Sequence, residues 1–162
     1  MHKTIGFALS LLLALPGTGL TGDKILEFHT MTPVVRPFNG TTNPVRGVNG
    51  GGIPWMLTKG MGQLGFDGRV QVRVQGLVLA EGTGAGTNPI PQFKAIVSCL
   101  TPTTDQTGNL VVATVNRSTN TFPASPDGDA IIDDVVSLPS PCIAPIVFVT
   151  SPTGSWFAAT GS

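Results

Sequence analysis

Apolar and polar residues alternate most cleanly in RVQVRVQ, residues 69–75, where Val70, Val72 and Val74 stand between Arg69, Gln71, Arg73 and Gln75. A period of two sends the two sets to opposite sides of an extended chain, which predicts a strand with one buried and one wet face. Gly76 interrupts the alternation and LVLA (77–80) resumes it, so a bulge at the glycine is expected to turn Leu77 and Leu79 inward. Upstream, IPWMLT places Ile53, Trp55 and Leu57 on one side. The intervening KGMGQLGFDG (59–68) reads as a turn and a short rung built on Leu64 and Phe66.

Further strands are expected at 25–31, 93–100, 110–116, 130–138, 146–150 and 156–160. Between them lie segments rich in Gly, Pro, Asn, Asp and Ser, such as EGTGAGTNPIPQ, TPTTDQTGN and FPASPDGD, which supply turns. No stretch sustains a 3.6-residue apolar period. The expected fold is all-β: an antiparallel β-sandwich of about seven to eight strands, immunoglobulin-like in the broad sense, with a small β-barrel as the alternative. Both tryptophans, Trp55 and Trp156, fall outside the pair Cys99 and Cys142. The tryptophan that packs on the disulfide of a true immunoglobulin domain lies between its cysteines, so that specific topology is not supported.

The N-terminal 19 residues follow different rules. His2 and Lys3 precede the apolar IGFALSLLLAL, after which Pro16 breaks the helix and Gly17-Thr18-Gly19 offer small residues for cleavage. An 11-residue apolar run is too short for a bilayer, which needs about 20. LPGTG at 15–19 has the letters of a wall-sorting tag, but such tags precede an apolar tail, and here the apolar run comes first. Residues 1–19 are therefore expected to be a secretory signal peptide. Residues 20–162 are expected to form a single domain, with 20–24 expected to be a flexible lead-in. No cysteine lies near the cut, which excludes a lipoprotein anchor, and WFAATGS ends the chain without an apolar tail. The expected product is released, secreted or periplasmic, with no membrane span.

Composition narrows the function classes. Charged residues make up 11% of the chain, against about 25% in an ordinary globular protein. With Lys3 removed, eight basic residues face nine acidic ones. Eight scattered cations do not make the dense basic face that phosphate neutralisation requires, so nucleic acid is not an expected partner. The chain has two cysteines, Cys99 and Cys142, and an even count in an exported chain points to one disulfide.

Catalytic patterns are sparse. Gly82, Gly84 and Gly86 lack the dinucleotide spacing, and no Lys-Ser/Thr follows a glycine loop. His29 is the one histidine after the signal, and no G-x-S-x-G presents a serine to it. DGDAIIDD is the richest polar cluster. Its Asp127, Asp129 and Asp133, with Asp134 beside them, offer hard oxygen ligands of the kind calcium takes, although their spacing is not that of an EF-hand. No other cofactor is expected. A cleft setting Glu81 or Asp67 against a second carboxylate would indicate a hydrolase. Asn39-Gly40-Thr41 and Asn116-Arg117-Ser118 are glycosylation sequons.

NPVRGVNGGGIPW, GRVQVRVQGLVLA, FKAIVSC, FPASPDGDA and LPSPCIAPIVFVTSPTGSWFAATG together resemble a group of small exported bacterial proteins of unknown function. The resemblance runs from about residue 33 to 161. It implies an exported β-rich domain with paired cysteines, and it carries no activity and no functional residues. A second likeness, through V-x-V-x-G-L at 72–77, is to chordin-type CHRD domains. Those carry histidines after that strand where this chain has EGTGAGTNP, so their metal-linked roles do not transfer. The expected function is a secreted, non-enzymatic structural or interaction module that contacts an extracellular protein or an envelope polymer. Phe38, Ile53, Ile90 and Phe122 are its candidate apolar contacts. A carbohydrate or small-ligand binder, assisted by calcium, is the alternative.

Overall fold

The computed structural model describes residues 23–160; the expected signal peptide, 1–19, and residues 20–22 lie outside them. Lys24, expected in a flexible lead-in, already belongs to the first strand. The described residues form twelve strands and no helix. In chain order these are β1 (Lys24–Phe28), β2 (Met31–Pro33), β3 (Trp55–Met56), β4 (Lys59–Gly65), β5 (Arg69–Gln75), β6 (Val78–Leu79), β7 (Gln92–Thr104), β8 (Leu110–Ser118), β9 (Phe122–Pro123), β10 (Ala130–Val135), β11 (Ile143–Thr150) and β12 (Trp156–Thr160). The excess over the expected seven to eight consists of pieces two or three residues long: β2, β3, β6 and β9.

Two antiparallel sheets carry the structure. One runs β1-β4-β5-β10; the other runs β2-β12-β11-β7-β8, with β9 attached to β7. β3 and β6 make a separate two-stranded ribbon. Val70, Val72 and Val74 of β5, Leu64 of β4 and Ile132 of β10 supply one wall of the core. Phe93, Ala95 and Val97 of β7, Val147 and Val149 of β11, and Ala158 of β12 supply the other. Phe157 stacks on Trp55 with ring centroids 3.9 Å apart, and Phe93 meets both rings edge-on. The fold is thus an all-β antiparallel sandwich, its sheets curled in the manner of a half-barrel. The curl has a visible cause: β1 and β2, separated only by His29 and Thr30, belong to different sheets. On the other flank β9 pairs with β7, while Ala124 bridges Ala130 of β10.

Several local expectations change, among them the strand expected at 25–31, which is split at His29 and Thr30 into β1 and β2. KGMGQLG is a full seven-residue strand rather than a turn with a rung, and Phe66 lies past its end with 68% of its surface exposed. Glycine hides the pattern. Gly60, Gly62 and Leu64 face inward, and a Cβ on Gly62 would lie 2.6 Å from the Phe28 ring and closer still to the Gln71 carbonyl. Gly76 ends β5 instead of bulging it. Its φ of 65° turns the chain out of the sheet, so Leu77 and Val78 are buried and Leu79 is half-buried. The strand expected at 130–138 stops at Val135, and Ile53 is exposed rather than aligned with Trp55. The strand expected at 93–100 runs on to Thr104, which lets the β7–β8 hairpin extend further than its apolar core requires.

Cys99 and Cys142 form the expected disulfide, with Cα atoms 5.0 Å apart and 43 residues of separation. It staples the buried middle of β7 to the residue before β11, and the chain-entropy account gives about 4 kcal/mol for a loop of this length. Such a bond fits an oxidising, extracellular-type compartment. No described helix is long and apolar enough to cross a membrane.

Candidate functional site

Alternation in the four-stranded sheet leaves a continuous outward face. Register places Glu27, Gln63, Gln71 and Asp133 in one row across all four strands, and Met61, Arg73 and Ile131 in the next. Gln63 donates to Gln71, and Gln71 donates to Asp133. Arg69 closes the row by a forked pair of bonds to the two oxygens of Asp133, at 3.1 and 2.9 Å. These donors, Arg69 first and then Gln71, hold the Asp133 carboxyl below the usual carboxylate range. An open hollow of about 290 Å³ lies over the two rows, lined by their residues with His29 and Phe28 but not by Arg69. Among the described residues Arg73 makes no ion pair, and it also borders the two neighbouring hollows, with Lys59 beside it in one of them.

The carboxylates expected to bind calcium are not gathered. Asp133 is engaged by Arg69, as above. Asp129 accepts the Gly76 N–H at 2.9 Å and so fixes the corner where β5 ends. Asp127 occupies the turn that Gly128 closes with φ 79°. Asp134 points to the opposite side of β10 from Asp133, where it takes the backbone and side-chain N–H of Asn120. Asn120 and the Val135 N–H lower its carboxyl as well. Among the described residues no three His, Cys, Asp or Glu side chains come together in a group that could hold a metal.

The carboxylates weighed for hydrolysis are also separated. Glu81 pairs with Arg36. Asp67 accepts the Arg69 N–H and is the one carboxylate lining a hollow of about 470 Å³ beside Leu138 and Cys142. Glu27 and Asp133 border the first hollow together but lie three interstrand spacings apart, about 14 Å, beyond the roughly 5–9.5 Å that glycosidase pairs use.

A third surface was not singled out from the sequence. β7 and β8 pair without interruption from Ile96↔Ser118 to Thr104↔Leu110, and β8 is the outer strand of its sheet. Leu110 is 79% exposed and Val112 65%, and Val111 is exposed too. Of the apolar residues expected to make contacts, Phe38 and Ile53 are exposed but isolated in loops, while Ile90 and Phe122 pack against the core. The missed signal is LVVA at 110–113: a run without alternation reads as a strand buried on both faces, whereas here it stands out on a hairpin arm. Among the described residues no strand pairs with the outer edge of β8 from Leu110 to Asn116, and the Asn116 side chain donates to the Arg46 carbonyl. Beyond that point Arg117 Nε bonds the Ser137 carbonyl and Asp134 holds Asn120.

No protein-family model, curated protein or solved structure matches this chain.

Proposed function

We propose that the chain is an exported, non-enzymatic interaction module that makes its contact through the open edge of β8. One observation carries this reading: an edge segment, Leu110–Asn116, that is uncharged and rich in β-branched residues, with the Leu110 and Val112 side chains standing in water. An edge of this kind presents unpaired N–H and C=O groups in a row, ready to pair with another extended chain, and soluble proteins ordinarily blunt it with charge, proline or a bulge. The leading apolar run at 5–15, the disulfide and the likeness to small exported proteins support export.

The test compares two baits, the wild-type mature protein and Thr114→Pro, against fractions of the cell envelope and culture medium. The proline removes one outward N–H while leaving the β7 ladder intact, so species held by the wild type should be lost with the variant. Retention of the same set by both sinks the reading.

A second reading rests on the outward face of the four-stranded sheet. Gln63, Gln71, Asp133 and Arg73, which makes no ion pair among the described residues, surround one hollow and suit a hydroxyl-rich small ligand or saccharide. No tryptophan or tyrosine lines it as a sugar platform, since the chain has no Tyr and both Trp side chains lie in the interior. Chemical-shift changes at Arg73 and Gln71 on titration with envelope-derived oligosaccharides would favour it over the first reading.

A further inference from the structure

The partner of the β8 edge follows from its own geometry, given the reading above that this edge is the contact surface. Bonded and non-bonded pairs alternate along an antiparallel ladder. The Thr119 N–H bonds the Ala95 carbonyl and the Asp105 N–H bonds the Asn109 carbonyl, and the register between them has no bulge. Odd-numbered residues of β8 therefore turn their backbone groups toward β7. Leu110, Val112, Thr114 and Asn116 turn theirs outward, four donors and four acceptors at even spacing. Pro102, which has no N–H to give, sits opposite Val112 where none is required.

The other outer strands are guarded. β1 is bulged between Lys24 and Leu26 and carries the Lys24–Glu27 ion pair. β2 has three residues and ends at Pro33. β10 is bridged at Ala130 and held to Asn120 through Asp134. β8 has none of these devices, and no residue from Gln106 to Asn116 is charged.

We infer that two copies of the chain pair antiparallel through Leu110–Asn116, about a two-fold axis at Ala113. The open stretch is self-complementary under that operation. Val112 and Leu110 of one copy form bonded pairs with Thr114 and Asn116 of the other, which uses every outward N–H and C=O on both sides. Val111 meets Val115, and Ala113 meets itself in a non-bonded pair small enough to pass the axis. Like charge meeting like charge is the usual obstacle to self-pairing, and here none arises. A shift of the axis to Thr114 would bring Arg117 against Val111 and drive Ser118 toward the edge already occupied by Ser137, so the Ala113 register is the one that fits. The two hairpins become one continuous sheet, and the exposed Leu110 and Val112 gain neighbours across it.

Sedimentation of the purified mature protein over a concentration series should show a monomer–dimer equilibrium. Thr114→Pro should weaken it by roughly tenfold or more, because one backbone bond is lost on each side of the axis, two in all. Ala113→Cys supplies a second, independent readout. Non-bonded antiparallel partners have Cα atoms about 4.5 Å apart, within disulfide range, so mild oxidation should give a covalent dimer linked 113 to 113 by mass mapping. Val112→Cys, diagonal to its own copy at about 7–8 Å, should link poorly. A protein that remains monomeric throughout and does not cross-link at Ala113 overturns the inference, as does a dimer indifferent to Thr114→Pro or one linked better through Val112. If Thr114→Pro fails to fold, the cysteine pair decides. A monomer whose envelope partners still depend on Thr114 would leave the broader interaction reading standing while removing the second copy as occupant.

Discussion

Gly62→Ala adds one methyl group to the middle of β4, at a site where neither neighbour can yield. The new Cβ would sit 2.6 Å from the Phe28 ring and closer to the Gln71 carbonyl, which belongs to the adjacent strand. Replacing glycine lowers the entropy of the unfolded chain and by itself would stabilise by about 0.4–1 kcal/mol. Overpacking of a fixed core costs about 1–3 kcal/mol, and the backbone contact puts this site toward the upper end. The net expectation is a loss of about 1–2 kcal/mol, which for a domain near 140 residues lowers Tm by roughly 3–8 °C. Gly52→Ala is the matched control: nothing lies within 4 Å of its Cβ position and its φ is ordinary. There only the entropy term acts, and stability should rise by about 0.4–1 kcal/mol. Thermal melts and urea titrations of the two variants beside the wild type read both signs. A Gly62→Ala protein as stable as Gly52→Ala would refute the claim that Gly62 is chosen for the space it leaves.

Two other expectations follow from the carboxylates. Asp129→Ala removes the acceptor of the Gly76 N–H at the β5 corner and should lower stability by about 1–3 kcal/mol, equally with calcium and with a chelator. A calcium-dependent rise in Tm that this variant abolishes would instead establish an ion at Asp127 and Asp129. Asp133 and Asp134 have carboxyls held below their ordinary range, Asp133 chiefly by Arg69 and Asp134 by Asn120. Their contribution to stability is thus complete above the unfolded value, about 3.9, and is lost as pH falls through the lower folded values. Acid melts should show Tm dropping below about pH 4, and Asp133→Asn should flatten that drop; an unchanged acid profile in the variant would contradict the assignment.

Much of the sandwich was legible along the chain because a half-buried strand writes its two faces in alternate letters. RVQVRVQ became β5 with its three valines inward, and the strands at 146–150 and 156–160 lie within β11 and β12. Legibility failed wherever a residue's role depended on what stood across from it. In KGMGQLG two of the three inward positions are glycines, because Phe28, Met31 and the Gln71 carbonyl already fill that space, and no property of glycine announces a crowded neighbour. The four aspartates of DGDAIIDD look like one cluster in sequence. Strand alternation sends Asp133 and Asp134 to opposite sides, and the turn leaves Asp129 to a backbone N–H, so Arg69 and Asn120, distant in sequence, determine what those carboxylates do.

The sequence by itself determined the class: two cysteines, low charge, and short alternating runs between turn residues leave a disulfide-closed β domain as the economical way to bury those side chains. Tertiary structure alone decided which strand stayed open. LVVATVN has the same letters whether it lies in the middle of a sheet or on its border. Only the sheet order, with β7 on one side of it and, among the described residues, no strand on the other as far as Asn116, turns that run from core into surface. Backbone pairing is non-local, so the place of a strand in its sheet is a property of its neighbours and not of its residues.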